Sequence, residues 1–95
     1  MILIADGGST KADWIALNTN KEEVFRVRTL GLNPAIVPHE ELSNRIVNMF
    51  QLMHIKDEVT EIHFYGAGCG TPKPIEILKS ILESIFVNAK IFIAE

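Results

Sequence analysis

No uninterrupted apolar run in this 95-residue chain is longer than a few residues, and turn-forming residues cut each one off. Ile2-Leu3-Ile4-Ala5 stops at Asp6-Gly7-Gly8, and Trp14-Ile15-Ala16-Leu17 stops at Asn18-Thr19-Asn20-Lys21. Runs this short, bounded this way, read as strands entering turns. From Glu23 to Leu30 the later residues alternate, with Phe25, Val27 and the Thr29 methyl on one side, the pattern of a half-buried strand. Three strands joined by short turns predict an antiparallel meander. The same run lengths fall far short of the roughly 20 residues a membrane helix requires. The opening MILIADGG has no basic segment before it and is interrupted by Asp6, so no signal peptide is visible.

Beyond the loop Gly31-Leu32-Asn33-Pro34, which runs to Pro38, the period changes. Leu42, Ile46, Met49, Phe50 and Met53 recur at spacings of three and four, predicting one amphipathic helix. Glu40 and Glu41 suit the positive end of its dipole. Glu61 to Tyr65 reads as a fourth strand that ends at Gly66-Ala67-Gly68-Cys69-Gly70. Thr71-Pro72 then reads as an N-cap followed by proline at the first helical position. Pro74 is tolerated because first-turn amides lack intrahelical acceptors. Ile75, Leu78, Leu82 and Ile85 form the stripe of this second helix, and Lys90 to Glu95 is a fifth strand.

The resulting order, β-β-β-α-β-α-β, predicts an α/β fold with a mixed five-stranded sheet and packed helices. This is the topology of ribonuclease H-like folds. The expected strand order is 3-2-1-4-5. Strands one, four and five should be central or flanked by helices, and strand three should form an edge where Arg26 and Arg28 are solvated. A composition of 47% hydrophobic and 22% charged residues supports one modest core at this length, not two. The chain stops on a strand, so residues 1–95 read as a partial lobe truncated at the fifth strand. Ile91, Phe92 and Ile93 would then be partly unshielded, and self-association, with a homodimer as the simplest form, is expected there.

With 9 Lys+Arg against 12 Asp+Glu, and the basic residues scattered, no nucleic-acid-binding stripe is present. The single cysteine, Cys69, cannot form an internal disulfide, and a reducing cytoplasm is the expected compartment.

Chemistry concentrates in Asp6-Gly7-Gly8-Ser9-Thr10-Lys11. Glycines let backbone amides approach a phosphate, the two hydroxyls add donors, and the preceding carboxylate suits Mg²⁺. The same residues also read as a plain hairpin, since Asp-Gly is a strong turn signal. They are not a Walker loop, because GGSTK lacks the GxxxxGK spacing and leads into a strand. The second glycine loop, at 66–70, lacks the third glycine of a dinucleotide fingerprint, since position 71 is threonine. Cys69 has no histidine near it in sequence and reads as a structural loop cysteine. His39, His54 and His63 show no metal-ligand spacing.

ADGGSTKADW resembles the first phosphate motif of the sugar kinase/actin-like ATPase superfamily, Asp-x-Gly-x-Thr followed by Lys or Arg. Taken with GLNP and FYGAGC in order, it is similar to N-acetylglucosamine kinase-like proteins, grouped with ATPases that activate acyl-CoA dehydratases and reductases. The resemblance implies the opening part of a two-lobed, ATP-dependent amino-sugar kinase about three times longer. It implies that Asp6 coordinates Mg²⁺ through water and that Gly7, Gly8, Ser9 and Thr10 line the β- and γ-phosphates of ATP. Lys11 would support the phosphates or a neighbouring carboxylate, or is simply solvated. Asn33 would contact the sugar, or is a turn residue before Pro34. Gly68 would border the sugar in the interlobe cleft. The general base, an aspartate just after Glu95, and the adenosine loop would lie outside these residues, leaving this segment inactive alone.

Two other readings compete. A ribonuclease H-like nuclease clusters carboxylates at the end of the fourth strand, where this chain has YGAGCG. An ATPase activator or non-catalytic sugar- or nucleotide-binding regulator would share the fold. The activators' iron–sulfur cluster, however, needs several thiolates.

Overall fold

Lys11-Ala12-Asp13-Trp14-Ile15-Ala16-Leu17 alternates polar or half-exposed residues with buried ones, and the chain uses all of it as a strand. The computed structural model describes residues 1–95 throughout. Its strands are β1 (Ile2–Gly7), β2 (Lys11–Leu17), β3 (Glu23–Leu30), β4 (Glu61–Gly66) and β5 (Lys90–Ala94). They form one sheet in the order β3-β2-β1-β4-β5, as expected. β1 pairs antiparallel with β2 and parallel with β4, β2 pairs antiparallel with β3, and β4 pairs parallel with β5. The first two strands are longer than the apolar runs predict. Asp6 and Gly7 belong to β1, and Lys11 to Asp13 belong to β2, in register as Asp6↔Asp13 and Gly7↔Ala12. Polar side chains on the solvent side do not interrupt a ladder, so only Gly8, Ser9 and Thr10 remain as the turn.

One sheet face carries Leu3, Ala5, Ala12, Trp14, Ala16, Ile62 and Phe64, all fully buried. The helices α1 (His39–Val47) and α3 (Pro72–Ile85) cover it with Leu42, Ile46, Leu78, Ile81 and Leu82. Trp14 and Phe64 meet edge to face at 6.1 Å and 67°, a geometry worth about 0.5–1.5 kcal/mol beyond area burial. The buried indole N–H donates to Thr29 Oγ1 at 3.2 Å, so no polar atom is stranded there.

The helix predicted across residues 39–53 is broken. α1 ends at Val47, Met49 is extended (φ −91°, ψ 102°), and a short α2 (Phe50–His54) leads into a 3₁₀ turn at Lys56–Glu58. The buried residues explain the break. Ile46 and Leu52 both reach the core, but a six-residue spacing puts two side chains on opposite flanks of a continuous helix. Resetting the chain at Asn48-Met49 brings Leu52 and then Ile55 inward and turns Phe50 out, 73% exposed. At α3, Thr71 is the N-cap and Pro72 follows, but the threonine hydroxyl makes no capping hydrogen bond. Pro74 occupies the third helical position and has no N–H to donate.

The other sheet face bears Ile2, Ile4, Asp6, Asp13, Ile15, Arg28, His63, Tyr65 and Phe92 at alternate positions, and no helix packs on it. Arg28 Nε donates to Asp13 Oδ1 at 2.6 Å, and His63 stacks on Phe92 at 4.8 Å and 10°. Of the three apolar residues expected to be unshielded in β5, Ile91 is buried and Ile93 packs against the core. Only Phe92, 48% exposed, lies on the open face.

Candidate functional site

Parallel strands place their carboxyl ends on one edge of a sheet, where loops rather than side-chain ladders meet solvent. At that edge three loops converge: the β1–β2 turn Gly8-Ser9-Thr10, the segment after β3 from Gly31 to Val37, and the segment after β4 from Ala67 to Gly70. Hydrogen bonds tie them together. Gly31 N donates to Thr10 O at 3.0 Å, Ala67 N to Gly7 O at 2.8 Å, and Asn33 Nδ2 to Ser9 Oγ at 3.3 Å. Gly31 lies so close beneath the turn that a Cβ on it would overlap the Ser9 carbonyl, and Arg45 Nη1 fixes the Gly31 carbonyl at 2.5 Å. Gly68 has φ +80°, and a Cβ there would run into Asn33 Oδ1. Its glycine is required twice, by conformation and by space.

The turn closes through Gly8 N donating to Lys11 O at 2.8 Å. The Ser9 and Thr10 amides have no acceptor within the chain, and both side chains are exposed. Free amides and hydroxyls on a three-residue turn are the donor set an anion uses. Gly7 serves another purpose: it is buried, and a Cβ on it would overlap the Phe64 ring.

Asp6 stands at the end of β1 opposite Asp13 on β2 and beside Tyr65 on β4. Facing like charges are unfavourable, and Arg28 relieves this pair by binding Asp13. Its hydrogen bond is the main cause that holds the Asp13 carboxyl below its usual range, with Lys11 a lesser contributor. Asp6 and Lys11 form no ion pair. A groove of about 510 Å³ runs from Asp6 and Asp13 across the open face to Ile4, Ile15, Arg26 and Arg28. No group of three or more His, Cys, Asp or Glu side chains converges anywhere in the chain. Any cation here would therefore be held by Asp6 together with phosphate oxygens and water. That is the usual arrangement for Mg²⁺, so the residues fit it.

The chain matches the crystal structure of a putative N-acetylglucosamine kinase from Porphyromonas gingivalis, with 32% sequence identity and a TM-score of 0.86. Its fold is that of a sugar kinase/actin-like ATPase N-terminal fragment. The match covers 99% of this chain and 34% of that one, so the chain spans about a third of that protein's length. No protein-family model and no curated protein sequence matches the chain.

Of the residues singled out in the sequence, Ser9, Thr10, Asn33 and Gly68 meet at one edge, with Asp6 and Lys11 beside them on the open face. Asp13 and Arg28 were missed. The alternation through β2 puts Asp13 on the same face as Lys11, and counting out from Gly8 and Lys11, which close the turn around Ser9-Thr10, sets it opposite Asp6. Glu95 was also missed as a neighbour: its carboxylate lies against Gly70. Burial, and secondarily this carboxylate, push the Cys69 thiol above its ordinary value, the opposite of what a nucleophile needs. None of the three histidines joins a ligand cluster. His54 stacks on Phe50, and His63 pairs with Glu61 at 2.9 Å.

Proposed function

We propose that the chain is the opening segment of an ATP-dependent amino-sugar kinase, with N-acetylglucosamine as the acceptor and the 6-phosphate as the product. The observation that carries this reading is the turn Gly8-Ser9-Thr10, whose amides and hydroxyls are free beside the unpaired Asp6 carboxylate. The fold shared with the Porphyromonas protein supports it. In this reading Ser9 and Thr10 bind the terminal phosphates of ATP, Asp6 orients a hydrated Mg²⁺, and Lys11 adds positive charge. The loops at Asn33 and Gly68 border the sugar. Bound Mg·ATP supplies the phosphoryl group; the chain's own residues position it and offset charge as it transfers, which is most of the catalysis such transfer needs. The general base and the adenosine pocket lie outside these residues, so the segment alone does not turn over.

The test is steady-state phosphorylation of N-acetylglucosamine, N-acetylmannosamine and glucose by a polypeptide joining this chain to the second lobe. Asp6→Asn should lower kcat by roughly 10²-fold or more, about 2.7 kcal/mol of barrier, with little change in the KM for sugar. An unchanged kcat would return Asp6 to being a strand-end residue. No phosphorylation of any amino sugar by the parent protein would overturn the substrate.

A further inference from the structure

We infer that Asn33 is a positioning residue for the phosphate-binding turn: its carboxamide sets the direction in which the Ser9 hydroxyl donates. The inference rests on the reading of Gly8-Ser9-Thr10 as a phosphate site and adds the group that orients it. Asn33 is 7% exposed, and each end of its carboxamide is committed. The Ala35 amide, which can only donate, lies 2.9 Å from Oδ1. That fixes which end is oxygen, so the atom 3.3 Å from Ser9 Oγ is Nδ2, a donor. Oδ1 lies so close to Gly68 that a Cβ there would collide with it, so the carboxamide is packed against the Gly68 backbone. Ser9 Oγ therefore accepts from Asn33 and keeps its single O–H for an outside acceptor. On an exposed turn with free amides, that acceptor is a phosphate oxygen.

An aspartate at this position has the same shape and keeps the turn through Ala35, but its second oxygen accepts. The Ser9 O–H would swing inward to it, and the site would lose a donor. Protonated, the same carboxyl can again donate to Ser9 Oγ.

The experiment follows the amide resonances of Gly8, Ser9 and Thr10 while the chain is titrated with Mg²⁺ and inorganic tripolyphosphate. Wild type, N33D, S9A and the N33D/S9A double variant are compared. The expected result is a roughly tenfold or greater loss of affinity in N33D and in S9A, the scale of one hydrogen bond to a charged group. N33D should cost clearly less in the S9A background than in wild type. The ratio of N33D to wild-type affinity should also recover as the pH falls toward about 4, where an aspartate carboxyl ordinarily protonates. A packing role for Asn33 would move neither the cycle nor the pH profile. N33D binding like wild type, or effects of N33D and S9A that multiply in full, would overturn the inference. Should N33D fail to fold, S9A binding like wild type would overturn it. A wild-type chain that binds no tripolyphosphate would sink the phosphate reading itself, a distinct outcome.

Discussion

Both faces of the sheet carry apolar side chains, and the two sets have different fates. Leu3, Ala5, Trp14, Ile62 and Phe64 on one face are fully buried beneath α1 and α3. On the other, Ile2, Ile4 and Ile15 are only half-buried, and Tyr65 and Phe92 are 49% and 48% exposed. Crossover connections cause the difference. The segments linking β3 to β4 and β4 to β5 both return over the same side. That side collects the core, while the other collects the charged residues of the open groove. Alternation in a strand reports that its two sides differ. Which side is covered depends on where the helices pass.

The largest effect should come from the covered face. Phe64→Ala removes a fully buried ring that touches Trp14 and fills the space left by Gly7 and Gly66. It should cost about 3–5 kcal/mol of unfolding free energy in a denaturant titration. A loss under about 1 kcal/mol would mean that the two faces contribute alike.

Gly7→Ala sharpens the comparison by adding volume where Phe64→Ala removes it. The new methyl would overlap the Phe64 ring, and overpacking of this kind costs about 1–3 kcal/mol. Phe64→Leu should recover part of that loss, because a smaller side chain makes room for the methyl. Without recovery, the glycine is required by the backbone rather than by the ring. A parallel measurement of tripolyphosphate binding tests whether this glycine, besides its packing against Phe64, also serves the proposed phosphate site.

These residues also show what could be read in advance. The strands were legible as short apolar or alternating runs between turn clusters, and their order followed from the ribonuclease H-like topology that the sequence of elements matches. The break in the first predicted helix did not, because Phe50 fits the apolar stripe as well as Leu52 fits the core. Only the position of the sheet decides between them. In the site, Ser9, Asn33 and Gly68 were visible as pieces of separate motifs. That Asn33 bonds to Ser9, 24 residues away, depends on where the loop after β3 lands. The pairing of Asp6 with Asp13 depends on register, which is fixed only once Gly8 is known to face Lys11 across Ser9-Thr10.

On the open face, Phe92→Ala should be mild. The ring is half exposed and stacks on His63, so a loss below about 1 kcal/mol is expected in the same titration. A loss comparable to that of Phe64→Ala would show this face covered in solution, and concentration dependence of the midpoint would identify a second copy as the cover.

The smallest effect concerns Asp13 and Arg28. The guanidinium hydrogen bond holds the folded-state pKa of Asp13 below its ordinary value. A carboxyl of this kind contributes stability that is present above its unfolded pKa and lost as pH falls through its lower folded value. Both groups are largely exposed, with side-chain accessibilities of 60% for Arg28 and 47% for Asp13, so the pair is screened and its contribution is slight. Arg28→Gln should therefore lower the thermal midpoint a little at neutral pH and low salt. The difference from wild type should shrink in high salt and vanish as the pH falls through the folded-state pKa of Asp13. It should not shrink when Asp6 is also replaced by Asn, because the bond to Arg28 belongs to Asp13. If Asp6→Asn instead abolishes the effect of Arg28→Gln, then Arg28 serves to hold two facing carboxylates together, and the polar end of the open face is more tightly built than its exposure implies.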